Sequence, residues 1–187
     1  IGIVTLTFPN RTNKEAAQII ADNGFTYVQL FFCQTDSNYW RYNGRTDVTH
    51  IRGDETQRII EPYQNHNLNV TALGVYTNPI EPDDSEWEKN LNYFSEMMRI
   101  ANEMGIPVLI TEGGHIHQGG KEDLGATMSE ASWKRIIKFA QRLIEPAQKY
   151  DVVVAFEPYF LTQLSSAKRT RDFLEIVNSD RIRVLLD

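Results

Sequence analysis

Short apolar runs alternate with longer amphipathic segments along the whole chain. The short runs are rich in β-branched residues, which is typical of strands buried in a parallel sheet. The longer segments carry apolar residues at helical spacing, most regularly between Trp87 and Met104, and they predict amphipathic helices. The predicted strands cover residues 2–8, 27–32, 69–76, 107–111, 152–157 and 182–187, and the predicted helices cover residues 13–23, 54–65, 130–149 and 167–178, with a further helix between Asp83 and Gly105.

Residues that usually begin or end helices stand at several of these boundaries. Thr12 and Glu15 have the spacing of a capping box at the start of the first helix. Gly24 and Gly105 follow the first and third helices, where glycine commonly ends a helix. These signals support the alternation of strand and helix along the chain.

The connections between these elements differ in length. Those leading from a helix back to a strand are short, whereas residues 33–53 and 112–129, which lead from a strand to a helix, are each about twenty residues long and exceed the usual length of a passive loop. In (β/α) barrels the loops after the strands build the active face, and the opposite loops serve stability. The pattern therefore predicts an α/β fold, a (β/α)8 TIM barrel, with its functional surface at the carboxyl ends of the strands.

The number of units bears on how much of a barrel this sequence contains. Six strand–helix units in 187 residues extrapolate to eight units in roughly 250 residues, the usual barrel size. We therefore interpret residues 1–187 as a single TIM-barrel domain, truncated at the C-terminal end, that covers about the first six β/α units. The structural competitor, a doubly wound nucleotide-binding fold, would carry a glycine fingerprint after its first strand, and residues 7–11 contain no glycine.

Composition narrows the class of partner. The formal net charge of −6 argues against a general binder of phosphate backbones, so we expect no nucleic-acid partner. The single cysteine, Cys33, excludes an intramolecular disulfide and fits the reducing cytoplasm. No apolar stretch approaches a bilayer span and no signal-peptide pattern precedes the first strand, so we expect no membrane partner. The oligomeric state stays open, with a homo-oligomer among the alternatives.

Two acidic residues close successive predicted strands near the end of the sequence. Glu157 follows the apolar residues 152–156, and Asp187 follows residues 182–186. Carboxyl ends of neighbouring parallel strands lie at the same edge of a sheet, so the two side chains would bring their oxygen donors together at the open end of the barrel, which we call its mouth. Such donors suit a divalent cation. The alternative is a pair of surface acids that form ion pairs with Lys or Arg.

Several segments, in order and spacing, resemble the sugar phosphate isomerase/epimerase family of xylose-isomerase-like TIM barrels. Those segments are residues 73–79 (LGVYTNP), 101–105 (ANEMG), 108–111 (VLIT), 155–158 (AFEP) and 185–187 (LLD). The resemblance implies an enzyme that isomerises or epimerises a sugar or sugar phosphate. It implies proton abstraction next to a carbonyl, through an enediolate that a metal ion stabilises.

The resemblance also implies a ligand set. In this family a glutamate after strand five and an aspartate after strand six bind a divalent metal ion (Mn, Mg, Co or Zn), and a histidine and a glutamate after strands seven and eight complete the site. By position, Glu157 and Asp187 match the first two ligands. Glu157 would also be the catalytic base. The implied partner is a small-molecule sugar.

Four further residues are candidates for contact with that sugar. His115 belongs to the glycine-rich residues 111–120, and Trp40 to an aromatic-rich loop after strand two, where its ring could stack on a sugar. Asn78 follows strand three, and Phe8 ends strand one, so both would face the same mouth. The alternatives are a mobile polar loop for His115, a hydrophobic cluster that anchors the loop for Trp40, and core packing for Phe8.

Two rival functions remain. An apurinic endonuclease of the same superfamily would carry histidine ligands at earlier strand ends, but strand two ends in Phe31-Phe32-Cys33 and strand three in Tyr76-Thr77-Asn78. A non-catalytic carbohydrate-binding barrel whose metal site has decayed is the other rival. The retention of two strand-end acids argues against it.

Overall fold

The computed structural model describes residues 1–186, in which parallel strands alternate with helices along the chain. Asp187, one of the two predicted metal ligands, lies outside the described residues. In chain order the strands are β1 (Gly2–Val4), β2 (Tyr27–Leu30), β3 (Asn69–Gly74), β4 (Val108–Glu112), β5 (His117–Gln118), β6 (Lys121–Glu122), β7 (Val153–Glu157) and β8 (Ile182–Val184), and the helices are α1 (Asn13–Asp22), α2 (Asp54–Asn65), α3 (Asp84–Glu103), α4 (Leu124–Thr127), α5 (Glu130–Lys149) and α6 (Ala167–Val177).

Six of the strands form one sheet in the order β1-β2-β3-β4-β7-β8, and every neighbouring pair is parallel. Each strand of this sheet lies beside the sheet strand that precedes it along the chain. A doubly wound sheet would instead reverse its strand order at a switch point. The α/β class and the barrel-like succession of strands therefore agree with the prediction from the sequence.

The helices begin where their caps predict. The Thr12 hydroxyl accepts a hydrogen bond from the Glu15 amide at 3.2 Å, and the Glu15 carboxylate accepts one from the Thr12 amide at 2.9 Å. This capping box satisfies two amides that otherwise lack partners at a helix start. Gly24 and Gly105 adopt φ values of +78° and +71° two residues after the last residues of the first and third helices, so the predicted helix stops are confirmed.

The first strand is shorter than predicted, because at Thr5 the side chain takes the place of the backbone in hydrogen bonding to the neighbouring strand. Its hydroxyl accepts a hydrogen bond from the Phe31 amide at 2.8 Å and approaches the Phe31 carbonyl at 3.2 Å. The chain then turns through a 3-10 segment, Thr5–Thr7. Phe8 follows this turn, so the prediction that Phe8 ends strand one was wrong.

The long strand-to-helix connection after β4 has secondary structure of its own. It contains the two-stranded hairpin β5–β6 and the short helix α4. Gly119 and Gly120 form the hairpin turn with φ of +58° and +77°, which is the backbone that two-residue hairpin turns require and that glycine adopts without strain. Gly119 and Gly120 of the glycine-rich segment therefore form this turn.

The helices cover one face of the sheet. Phe156 of β7 packs against Phe173 of α6 with ring centroids 5.1 Å apart. Between α3 and α5, the fully buried Phe139 ring lies 5.5 Å from Phe94 and 5.8 Å from Trp87. These contacts pack α6 onto the sheet and α3 against α5. Within the described part of the chain, none of the helices combines the length and apolar character that a membrane span needs.

Candidate functional site

Two glutamates end neighbouring strands of the sheet. Glu112 is the last residue of β4, Glu157 is the last residue of β7, and the two are paired directly in the strand register. Adjacent strands lie about 4.8 Å apart, and paired residues of parallel strands direct their side chains to the same face of the sheet. The carboxyl end of the sheet therefore presents two neighbouring carboxylates.

Glu112 was missed in the sequence because the predicted strand stopped one residue earlier, at Thr111. A signal was present, since residues 108–112 (VLITE) and 153–157 (VVAFE) are apolar runs of equal length that both end in glutamate. Glu112 is only 8% exposed. A carboxylate so little exposed needs hydrogen-bond donors or a cation beside it.

Two tyrosines supply such donors. Tyr42 donates its hydroxyl to the Glu112 carboxylate, and Tyr76 donates its hydroxyl to Oε2 of Glu157 at 3.1 Å. Burial, reinforced by the adjacent carboxylate, raises the pKa of both tyrosines well above the ordinary value for a phenol. Both hydroxyls therefore stay protonated at neutral pH and act as hydrogen-bond donors that orient the glutamates.

An aromatic wall borders the two carboxylates, and we define it as Phe31, Trp40, Tyr42 and Tyr76. Phe31 stacks on Tyr76 at 5.7 Å and meets Trp40 edge-on at 5.5 Å. Tyr42 lies 6.3 Å from Tyr76 and 6.4 Å from Trp40. Trp40, a predicted substrate contact, thus lies in the same wall as both tyrosine donors. Its indole Nε1 is buried and finds no hydrogen-bond partner among residues 1–186.

The aromatic wall depends on the absence of a side chain at Gly74. A Cβ atom at this position would lie 2.1 Å from Cε1 of Phe31, and the Phe31 ring cannot retreat without displacing Trp40 and Tyr76. We expect Gly74→Ala to destabilise the protein by about 1–3 kcal/mol and to weaken the near-ultraviolet circular dichroism of the aromatic wall. Urea unfolding and the dichroism spectrum measure the two effects.

Gly125→Ala is the matched control for that substitution. A Cβ atom at Gly125 would meet nothing closer than 3.4 Å, so its unfolding midpoint is expected to stay close to that of the wild type. Equal stability of Gly74→Ala and Gly125→Ala would contradict the tight contact between Gly74 and Phe31.

His115 lies beside the glutamate pair. It is 6% exposed, its Nδ1 lies 2.6 Å from Oε1 of Glu122, and its Nε2 lies 4.0 Å from Oε1 of Glu112. Asn78 donates its side-chain amide to the His115 carbonyl at 2.8 Å. In this structure Asn78 therefore holds the backbone of the neighbouring connection.

Phe8 is the remaining predicted contact. It packs as a partly buried side chain against the core and borders a hollow of about 500 Å³ formed with residues 7–11 and Ile19. The structure thus brings Trp40, His115 and Glu157 to the same strand ends, together with Glu112.

Glu157 offers the chemistry of a divalent-cation ligand, because carboxylate oxygen is the donor that hard cations prefer. Among residues 1–186, His, Cys, Asp and Glu side chains form no group of three or more that could hold a metal ion. Glu157 therefore fits as one ligand of a cation. The described residues do not complete the coordination.

Comparison with known proteins establishes the family. Residues 17–187 match the family of xylose isomerase-like TIM barrels, and this match covers most of the chain. The protein therefore belongs to that family, and the resemblance deduced from its sequence is confirmed. The sequence matches no curated protein significantly.

Solved structures share the fold over almost the whole chain. A xylose isomerase-like TIM barrel protein from Mycobacterium smegmatis, in complex with magnesium, superposes with a TM-score of 0.72 at 13% identity over 100% of this chain and 64% of its own. D-psicose 3-epimerase with D-tagatose, from Clostridium cellulolyticum H10, gives 0.72 at 13% identity over 98% and 61%. A probable 3-DHS dehydratase from Bacillus anthracis gives 0.71 at 15% identity over 100% and 62%.

These likenesses define the fold, and the (β/α) barrel class is therefore confirmed. The chain spans 61–64% of the length of these three structures. The fold thus hosts both an epimerase and a probable dehydratase. The fold alone therefore does not define the reaction, which depends on the residues at the site.

Proposed function

We propose that the protein is a metal-dependent isomerase or epimerase of a sugar or sugar phosphate. The observation that carries this proposal is the paired strand-end carboxylates Glu112 and Glu157, each oriented by a tyrosine hydroxyl beside the aromatic wall. Membership of the xylose isomerase-like family supports it, as does the presence of epimerases among proteins of this fold.

Glu157 is the proposed catalytic base. Its carboxylate would take the proton from the carbon next to the substrate carbonyl, and the electron pair of the broken C–H bond would form the carbon–carbon double bond of an enediolate. Protonation of the same carbon from the opposite face, by a second acid on that side, gives an epimer, and transfer of the proton by Glu157 to the neighbouring carbon on the same face gives an isomer. Such proton transfer contributes about 10²–10⁴-fold to the rate. The hydrogen bond from Tyr76 holds Glu157 in one orientation for this step.

A divalent metal ion held by Glu157 and Asp187, when bound, would supply positive charge that stabilises the negative charge developing on the substrate oxygens. The aromatic wall offers apolar ring faces on which a sugar can stack, and it keeps water from the reacting carbon. Trp40 also has a buried Nε1 that lacks a hydrogen-bond partner within residues 1–186 and could donate to a ligand oxygen. The proposed partner is therefore a small, polyhydroxylated molecule.

Solvent-exchange measurements on the full-length protein test this proposal. We expect the protein with Mn²⁺ or Mg²⁺ to incorporate deuterium from D₂O beside the carbonyl of D-fructose, D-tagatose or D-fructose 6-phosphate, as detected by proton NMR and mass spectrometry. Removal of the metal with EDTA is expected to abolish exchange, and added Mn²⁺ is expected to restore it.

Three other outcomes of these measurements would each contradict part of the proposed function. Binding of a ketose without exchange would favour the non-catalytic carbohydrate-binding barrel. Cleavage of an oligonucleotide that contains an abasic site would favour the endonuclease. Exchange that survives complete removal of metal would contradict the dependence on a cation.

A further inference from the structure

His115 is a nearly buried imidazole between two carboxylates that come from different elements. Its Nδ1 lies 2.6 Å from Oε1 of Glu122, on strand β6 of the hairpin, and its Nε2 lies 4.0 Å from Oε1 of Glu112, at the end of β4. The first distance is that of a strong hydrogen bond, whereas the second is too long for one. Nδ1 is therefore hydrogen-bonded to Glu122, whereas Nε2 makes no hydrogen bond to Glu112.

The Glu122 contact decides which nitrogen carries the proton of the neutral ring. An ionised carboxylate can only accept hydrogen bonds, so Nδ1 must donate to Glu122. Nε2 then keeps a lone pair directed toward Glu112. The site thus holds two hydrogen-bond acceptors 4.0 Å apart, Nε2 of His115 and Oε1 of Glu112.

The backbone on both sides of this contact is held in place. Asn78 donates to the carbonyl of His115 at 2.8 Å, and the Thr127 hydroxyl accepts from the amide of Ile116 at 2.9 Å. The Asp123 amide donates to the Ile116 carbonyl at 2.8 Å, which closes the hairpin back onto the residue after His115. The His115–Glu122 pair therefore joins two backbones with little freedom to separate.

We propose that Glu122 is a positioning residue, which holds His115 as the Nδ1–H tautomer so that Nε2 and Glu112 together accept hydrogen bonds from two neighbouring hydroxyls of the substrate. This assignment rests on the proposed function and adds a specificity element to it. The ligand class is a vicinal diol within a ketose or related polyol.

The geometry favours two hydroxyls over one. A hydroxyl carries a single donor hydrogen, so one group cannot donate to both acceptors. A vicinal pair offers two donors on adjacent carbons and satisfies both acceptors at once. Oε1 of Glu112 also accepts the Tyr42 hydroxyl, so it is a sugar lacking the hydroxyl that faces His115 that would leave a buried acceptor, Nε2, unpaired. An unpaired buried acceptor is the usual basis of strong discrimination against deoxy analogues.

Nitrogen-15 NMR of the full-length protein labelled at histidine tests the tautomer without any assay of activity. The four histidines are few enough to assign by single substitutions. In the neutral imidazole of His115 we expect a protonated Nδ1 and an unprotonated Nε2. A protonated Nε2, whether in the other tautomer or in the imidazolium, would overturn the proposal in the wild-type protein itself.

Variants and a ligand titration complete the test. Glu122→Ala is expected to shift His115 away from the Nδ1–H form, and Lys121→Ala, on the same strand, is expected to leave it unchanged. D-fructose should shift the His115 Nε2 resonance of the wild type, and we expect Glu122→Ala to weaken its binding about tenfold. An unchanged tautomer in folded Glu122→Ala, or a His115 signal insensitive to D-fructose, would overturn the assignment.

These outcomes differ from failure of the proposed function. If His115 has the expected tautomer and responds to D-fructose while no ketose exchanges deuterium, the hydroxyl-binding pair stands and the isomerase proposal falls. If deuterium exchange occurs but His115 has Nε2 protonated, the enzyme proposal stands and Glu122 has no positioning role.

Discussion

Replacement of Glu157 by Gln is expected to lower deuterium exchange into a ketose by about 10²–10⁴-fold. The amide has nearly the same shape as the carboxylate and can still accept the hydrogen bond from Tyr76, but it cannot take up the substrate proton. The rate of exchange measured by proton NMR, at saturating metal and ketose, gives the effect directly. Metal content of the same sample, measured by mass spectrometry, is expected to fall as well, since Glu157 is a proposed ligand.

Glu145→Gln is the matched control for this prediction. Glu145 is an exposed residue near the end of α5, on the side of the sheet where β7 begins, so the same change of charge there should alter neither exchange nor metal content. Glu112→Gln tests the alternative base. Full exchange in Glu157→Gln together with loss of exchange in Glu112→Gln would assign the proton transfer to Glu112 and refute the role of Glu157.

Truncation of Phe139 to Ala is expected to cost about 3–5 kcal/mol of unfolding free energy. The side chain is fully buried between α3 and α5 and contacts both Phe94 and Trp87. Its removal would leave a cavity in the layer that supports the sheet. The change in the midpoint of urea unfolding, with the slope of the transition checked for constancy, measures the loss.

Phe160→Ala provides the comparison for that substitution. Phe160 is 67% exposed, so the same truncation should change the unfolding free energy by no more than about 0.5 kcal/mol. If the two alanine variants proved equally stable, Phe139 would not be part of a tightly packed interface between the helices.

Local patterns in the sequence determined most of the fold. The periodicity of apolar residues located the helices and the six parallel strands, because buried faces repeat at distinct spacings in the two kinds of element. The capping box of Thr12 and Glu15 and the glycines after helices were correct for a similar reason, since each acts through hydrogen bonds or backbone angles within a few residues. The barrel class followed from this order of elements, whereas the family followed from the resemblance of particular segments, such as residues 73–79 and 155–158, to a known family.

The candidate site could be predicted only in part. Glu157, Trp40 and His115 were located because strand ends and long strand-to-helix connections mark the working face of a barrel. Glu112 was missed by a shift of one residue in a strand boundary, and boundaries are set by pairing with a neighbour that lies 45 residues away in the register. The error on Phe8 arose in the same way, from the bonds between Thr5 and Phe31.

By itself, then, the sequence determined the succession of strands and helices, the barrel-type fold and the presence of an acid at the end of the fifth sheet strand. Only the tertiary structure decided that Glu112 stands beside that acid, that Tyr42 and Tyr76 donate to the two carboxylates, and that Glu122 returns on a hairpin to His115. These contacts join residues that are distant along the chain. Their geometry depends on strand register and hairpin placement, which no local pattern of residues encodes.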